Sequence, residues 1–220
     1  MKTFKIIDTP WNTIAKISCL RNEAIETVVR YYGHNSVRYP EKVLQKDEAL
    51  ALSNAGFKLM VIFQTTNDHA SYFSYDKGRY DGLRAYHWAK DQIGQPVGSG
   101  IYFAVDYDAT IEQIHNNIIP YFKGVQEIFI KSTGSESVYQ VGAYGSGSVV
   151  NELKTHNLCK YRWLSESIGF NGSREALDNG SYELYQKFTS NSKICNLDVD
   201  FDVQNPAGND MGVFSLSENG

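Results

Sequence analysis

The stretch IYFAVDYDAT, residues 101–110, decides how this chain is read. A short apolar run, the pattern of a strand, leads straight into Asp106 and Asp108. Alternation along an extended chain would set both carboxylates on one side, roughly 7 Å apart between Cα atoms. Like charges that close are costly, so the pair is expected to serve a site rather than the fold alone.

Working outward, similar runs recur before and after it. FKII (4–7) ends at Asp8, TVVRYYG (27–33) carries Arg30, LMVIFQ (59–64) ends at Gln64, and YQVGAYGS (139–146) follows as the fifth. Helical patterns lie between them. EKVLQKDEALALSNAG stops at Gly56, and GLRAYHWAKDQIG is capped by Gly94 with Pro96 beyond. The pattern over 109–131 is interrupted at Pro120, and SVVNELKTHNL follows the fifth strand. After residue 158 the rhythm changes. KYRWLSES (160–167), YELYQKF (182–188) and NLDVDFDV (196–203) read as strands with short links, and SREALDNG supplies a turn or two of helix. The expected fold class is α/β: a single TIM-like barrel over 1–205, five strand–helix units followed by three strands with short connections. Residues 206–220 are expected to be a frayed or loosely packed tail.

The bulk numbers fit one sizeable core in 220 residues. A net charge of -4 leaves no basic excess to neutralise phosphates, which argues against nucleic acid as a partner. No run approaches the roughly 20 apolar residues of a membrane span, so no membrane partner is expected. MKTFKIIDTPWNT lacks the apolar core of a signal peptide. The expectation is therefore a cytoplasmic protein, or one exported by a non-classical route such as phage lysis or effector secretion. Cys19, Cys159 and Cys195 show neither metal spacing nor a disulfide framework, and read as incidental thiols or the mark of a reducing compartment. His34, His69, His87, His115 and His156 show no ligand spacing, so no metal site is expected. The 15 tyrosines and 3 tryptophans are the compositional oddity, and flat amphipathic rings suit polar ligands such as carbohydrate.

In a parallel barrel the C-terminal strand ends converge on one rim, where active sites are built. The residues there are Asp8, Arg30, Gln64, Asp106 with Asp108, Tyr144, Trp163 or Glu166, Gln186, and Asp200 with Asp202. Three readings of that ring stay open. In a glycosidase, Asp108, nearer the open end, donates the proton while Asp106 stays ionised and stabilises charge on the sugar. Asp8 and Asp200 then complete an acidic cup, and Arg30 keeps a neighbour ionised. In a phosphatase, FAVDYDATI fits an apolar strand followed by DxDxT, with Asp106 as nucleophile, Asp108 as acid/base and Mg²⁺ between them. Strand–helix units ahead of that motif, and no later paired acid before a helix, weigh against it. As plain structure, Asp108 caps the helix that follows, which leaves Asp106 and Asp8 unexplained.

The runs IIDTPW, VVRYYG, EALALSNAGFKLMVIFQ, GQPVGSGIYFAVDYD, VGAYGS, YRWLS, YELYQ and LDVDFDV, in that order, resemble the glycoside-hydrolase-like domain of unknown function family 1906. That family is itself similar to the family 25 lysozymes. The resemblance covers nearly the whole chain. It implies a barrel of five strand–helix units and three further strands, and a cofactor-free, muramidase-like hydrolysis of peptidoglycan or a related polysaccharide. By motif, Asp8 matches the first-strand Asp, and Asp106-Tyr107-Asp108 matches the fourth-strand D-x-E with the acid at Asp108. Asp200-Phe201-Asp202 matches the last-strand D-x-N, with Asp198 as the alternative register. Trp163 and Gln186 match the W and Q of strands six and seven, and Tyr144 sits on the fifth. With Arg30, Gln64 and Asp202, these are the expected substrate-binding residues. One departure stands out: the family's proton donor is Glu, and Asp108 is one methylene shorter. The competing class is a barrel that kept its acidic cup for binding carbohydrate without cleaving it.

Overall fold

The short apolar runs pair edge to edge until no edge is left. The computed structural model describes residues 4–33, 41–131, 137–189, 192–208 and 210–217. Its strands are β1 (Ile6–Asp8), β2 (Thr27–Tyr32), β3 (Lys58–Phe63), β4 (Gly100–Ala104), β5 (Gln140–Gly145), β6 (Tyr161–Leu164), β7 (Leu184–Lys187), β8 (Lys193–Ile194), β9 (Leu197–Asp198) and β10 (Asp200–Gln204). Eight of them close a barrel in the order β1-β10-β7-β6-β5-β4-β3-β2, while β8 and β9 form a small hairpin beside it. Closure removes the exposed strand edges that a sheet must otherwise protect.

The helices that flank the strands are α1 (Ile17–Asn22), α2 (Lys46–Asn54), α3 (Tyr75–His87), α4 (Ile111–Gln113), α5 (Ile119–Lys131), α6 (Gly147–Thr155) and α7 (Ser173–Asp178). α3 runs on through a π-helical turn, Trp88–Ile93, to Gly94, whose φ of 77° is a left-handed conformation that glycine adopts at little cost. The expected break at Pro120 takes the form of a second π-helical turn, Ile114–Ile118. Proline lacks an N–H and its ring crowds the carbonyl one turn back, so the helix loosens just before it. Asp108 does not cap this helix. Thr110 does: its hydroxyl accepts the Gln113 N–H at 3.2 Å and the Gln113 side chain accepts the Thr110 N–H at 3.0 Å.

The last strand departs from the parallel reading. β10 runs antiparallel to both β1 and β7. Among the described residues its link from β7 carries the β8–β9 hairpin and no helix, and a parallel return needs a crossover that is usually helical. NLDVDFDV therefore enters the barrel at the mouth and descends. Asp200 lies opposite Asp8, and Asp202 lies opposite Ile6 one layer deeper.

Alternation sorts the core into two shells. Val29, Met60, Ile62, Tyr102, Trp163 and Leu184 fill the barrel. Ile7, Val28, Leu59, Val61 and Phe103 face outward under the helices. The tail is not frayed where it is described. Met211 and Phe214 are buried, the Tyr102 hydroxyl donates to the Met211 carbonyl at 3.0 Å, and Leu59 and Phe214 exchange backbone hydrogen bonds of 2.8 and 2.9 Å. The starts of β3 and β4 would otherwise leave backbone groups unpaired at the lower end of the barrel, and this segment satisfies them.

Two of the three cysteines also overturn expectation. Cys19 and Cys195 form a disulfide with Cα atoms 5.9 Å apart, and Cys159 is free and buried. Barrel closure brings α1 beside the β8–β9 hairpin across a separation of 176 residues, which spacing along the chain does not reveal. Replacing both cysteines by serine is expected to cost about 2–4 kcal/mol, because the bond closes a very long loop. Urea unfolding checks this. The wild type should lose that stability on reduction, whereas the double variant should ignore the reductant; equal midpoints throughout would contradict it.

Candidate active site

The mouth of the barrel holds a cavity of about 210 Å³. Tyr31, Gln64 and Asp106 form one wall, Tyr144, Glu166, Gln186 and Asp200 the other, over a floor of Ile62 and Trp163. Each wall residue arrives by the same device. A strand ends, and its last inward-facing position, or the loop just beyond, leans over the lumen.

A chain of hydrogen bonds organises the back of this cup. The Tyr31 hydroxyl donates to Asp8 Oδ1 at 2.6 Å, and Gln186 Nε2 donates to Asp8 Oδ2 at 3.1 Å and to Asp200 Oδ2 at 3.2 Å. Gln186 Oε1 accepts the Tyr144 hydroxyl at 2.7 Å. On the facing wall Lys42 Nζ donates to Gln64 Oε1 at 2.8 Å, and Gln64 Nε2 donates to Asp106 Oδ2 at 3.1 Å. A lysine can only donate, so it turns the amide oxygen of Gln64 toward itself and leaves the NH₂ for Asp106. Beneath the floor, Trp163 Nε1 donates to Asp202 Oδ1 at 2.9 Å, while Asp202 Oδ2 is buried with no partner among the described residues.

The electrostatics follow from crowding. Among the described residues, Asp8, Asp106, Glu166, Asp200 and Asp202 surround this region with Lys42 as the nearby cation. Burial first, then the Asp200 charge, raises Asp8 to about 7 against the pull of Tyr31, Gln186 and Lys42. Burial and the Asp8 charge push Asp202 well up. Burial raises Asp200, and it raises Asp106 against the opposing Lys42 charge. Glu166 is raised by burial, then by the charges of Asp200 and Asp106. Lys42 itself is lowered by burial. Asp8 therefore keeps its proton toward neutral pH, and the neighbouring carboxyls all lie above their ordinary range.

A pH dependence follows for Asp8. Its folded pKa, about 7, lies above the unfolded value of 3.8, so the folded state keeps a proton that the unfolded chain releases. The resulting stability is fully present below the unfolded pKa and is lost as pH rises toward 7. Asp8→Asn should remove this component. Urea unfolding at about pH 4.5 and pH 7.5 should show a smaller loss in the variant than in the wild type, and identical losses would contradict the assignment.

Of the residues expected at the rim, Asp8, Gln64, Asp106, Tyr144, Trp163, Gln186 and Asp200 converge on the cup. Asp202 lies just below it, because β10 descends. Asp198 leaves the barrel and pairs with Lys193 at 3.0 Å, so the register resolves to Asp200 and Asp202.

Two residues go elsewhere. β4 ends at Ala104, and the Asp106 N–H bonds to the Asn67 carbonyl at 2.8 Å, which turns the chain. Alternation lapses there: Asp108 is exposed, and its Oδ1 accepts the Asn171 N–H at 2.8 Å, away from the cavity. The DxDxT set thus does not assemble, since Asp106 and Asp108 diverge and Thr110 serves as a cap. Arg30 faces outward and is wholly buried. It binds Glu48 of α2 through Nε at 2.9 Å and Nη2 at 3.2 Å, so it does not line the cavity, and its charge acts on the cup through Lys42, whose pKa it helps to lower.

Tyr31, the inward residue of β2, was not expected. The strand is buried on both faces, so its apolar pattern carries no phase. Glu166 was named only as an alternative to Trp163, and the cavity uses both. Lys42 comes from a loop with no local signal. His34 lies outside the described residues. A larger cavity, about 420 Å³, opens at the opposite end beside Phe4, Lys5, Glu26 and Lys187. The carboxyls that line it are Glu26 and Asp202, against Asp106, Glu166 and Asp200 at the mouth, and barrels of this kind build their sites at the C-terminal face.

Over residues 18–202 the chain matches the Rv2525c-like, glycoside hydrolase-like domain. It is 30% identical over 213 residues to the uncharacterized protein YbfG of Bacillus subtilis (strain 168), covering 93% of this chain and 29% of that protein. It thus spans under a third of that relative. Its barrel is similar to the Tat-secreted protein Rv2525c of Mycobacterium tuberculosis in complex with L-tartrate, with TM-score 0.77 at 19% identity over 96% of this chain and 99% of that one. It is also similar to the catalytic domain of endolysin ply40 from bacteriophage P40 of Listeria monocytogenes, with TM-score 0.56 at 16% identity over 94% and 96%. At such identities these structures speak for the fold alone. The domain match spans most of the chain, which therefore belongs to the Rv2525c-like, glycoside hydrolase-like family.

Proposed function

We propose that this chain is a glycoside hydrolase domain that cleaves a cell-wall polysaccharide of the peptidoglycan type at the barrel mouth. The observation that carries the reading is the acidic cup, in which carboxyls from several strands share one cavity with Lys42 nearby. Glycosidic cleavage needs one carboxyl that gives a proton and one carboxylate that answers the positive charge on the sugar. Glu166, raised by burial and by two neighbouring charges, gives the proton to the leaving oxygen. Asp106, whose rise by burial is opposed by the Lys42 charge and the Gln64 amide, serves in its ionised form to stabilise the oxocarbenium-like ring. Asp8, Gln186 and Asp200 form the polar back wall that receives sugar hydroxyls, and Trp163 floors it. The chemistry needs no cofactor.

At about 210 Å³ the cavity is smaller than the roughly 300–1,000 Å³ of drug-sized sites, so it takes one ring while the rest of the glycan lies across the rim. Family membership supports the reaction class, and the endolysin likeness supports the cell wall as target. The Cys19–Cys195 bond and the Tat-secreted structural neighbour support work outside a reducing cytoplasm.

A second reading, a barrel that binds glycan without cleaving it, is favoured by one observation: Asp108, where the family 25 acid would stand, is turned to Asn171. Release of reducing ends from purified peptidoglycan separates the two. Cleavage by the wild type supports the first, and saturable binding without cleavage supports the second. In the first reading Asp108→Asn stays within a few-fold of wild type, and a loss of about 10²-fold or more would return the acid to Asp108.

A further inference from the structure

Away from the cup, two histidines and a glutamate meet on the helical shell. His115 lies in the π-helical turn Ile114–Ile118, and Glu152 and His156 stand one turn apart at the end of α6. β4 and β5 are paired in the barrel, so the helices that follow them run side by side. His115 Nε2 is 3.0 Å from Glu152 Oε2, and His156 Nε2 is 3.7 Å from the same oxygen. One donor atom from each residue lies within 4.8 Å of the other two. A tetrahedral zinc ion with ligands at about 2.0–2.1 Å sets its donor atoms about 3.3–3.5 Å apart. The cluster thus needs only small side-chain rotations to close on an ion. The side chains are free to make them, with 51%, 32% and 47% of their surfaces exposed at His115, Glu152 and His156.

The donor set selects the ion. Two imidazoles and one carboxylate suit zinc and similar divalent transition ions, whereas magnesium and calcium prefer oxygen throughout. We propose that His115, Glu152 and His156 bind one such ion, with water completing the coordination. The ion staples the helix after β4 to the helix after β5. Those strands lead into Asp106 and Tyr144, so the staple stiffens the frame on which one part of the cup is built. The site lies on the outer shell and is independent of the glycosidase reading.

The test is calorimetric titration of ZnCl2 into the full, tag-free chain after chelator treatment. One equivalent of zinc should bind, and zinc should raise the thermal midpoint. His115→Ala and His156→Ala should each weaken binding by about tenfold or more, and the double variant should lose both binding and the thermal shift while keeping its circular dichroism. MgCl2 should give no comparable signal. Absence of zinc binding, a preference for magnesium, or zinc binding unchanged in the double variant would each overturn the proposal.

Discussion

Glu166→Gln is expected to lower the release of reducing ends from peptidoglycan by about 10²–10⁴-fold, the span attributed to a positioned general acid. Glutamine keeps the shape and length of the side chain but has no carboxyl proton for the leaving oxygen. Substrate affinity should change little, because the back wall of Asp8, Gln186 and Asp200 is untouched. Asp106→Asn should be as severe for a different reason: the ring then develops positive charge with no carboxylate held against it. A glycoside whose leaving group departs without protonation tells the two apart. It should restore turnover in Glu166→Gln and fail to restore it in Asp106→Asn. Recovery in both, or in neither, would show that the roles are misassigned.

The largest structural effect is expected at the buried pair behind the cup. Arg30 and Glu48 are fully enclosed, and Glu48 also accepts the Thr13 N–H at 2.9 Å and the Thr13 hydroxyl at 2.8 Å. Arg30 donates in addition to the backbone carbonyls of Thr9 and Glu41. Glu48→Ala removes one partner and leaves a guanidinium without its counter-charge in a dry site, which costs about 3–5 kcal/mol. Native domains hold only about 5–15 kcal/mol in total, so this single change approaches unfolding. Replacing both partners by apolar residues, Arg30→Met with Glu48→Leu, should recover much of the loss, since no buried charge then remains unpaired. Urea unfolding decides it, and a Glu48→Ala chain as stable as wild type would contradict the description. Thr9 follows Asp8 directly, so the pair also anchors the rim.

The residues show which parts of this architecture were legible in the chain. Asp8, Gln64 and Gln186 were readable because each closes or adjoins a short apolar run, and a strand end is a local event. Tyr31 was not, because both faces of β2 are buried and only the neighbouring strands fix which side looks inward. Arg30 was misplaced by the same ambiguity, one position out of phase. Asp200 and Asp202 were found, but their depth depends on the direction of β10, which the β8–β9 hairpin sets. Asp106 and Asp108 looked like a pair because the strand was carried two residues too far. The Asn67 carbonyl, from another loop, turns the chain between them. The Cys19–Cys195 bond and the His115–Glu152–His156 cluster join residues that meet only once the barrel is closed. The tail likewise gains partners only after β3 and β4 are in place. By position, the residues matched through the resemblance to the lysozyme-like barrels lie at or just below the barrel mouth except Asp108, which a local turn carries to Asn171.

The most direct test of the proposed function is mass spectrometry of the soluble products formed from purified peptidoglycan. The wild-type chain should release fragments one water heavier per bond cut, each with a new sugar reducing end, and Asp106→Asn should release none above background. Intact glycan after prolonged incubation with the folded wild type, or equal release by the Asp106→Asn variant, would contradict the assignment of this cup as a glycosidase site.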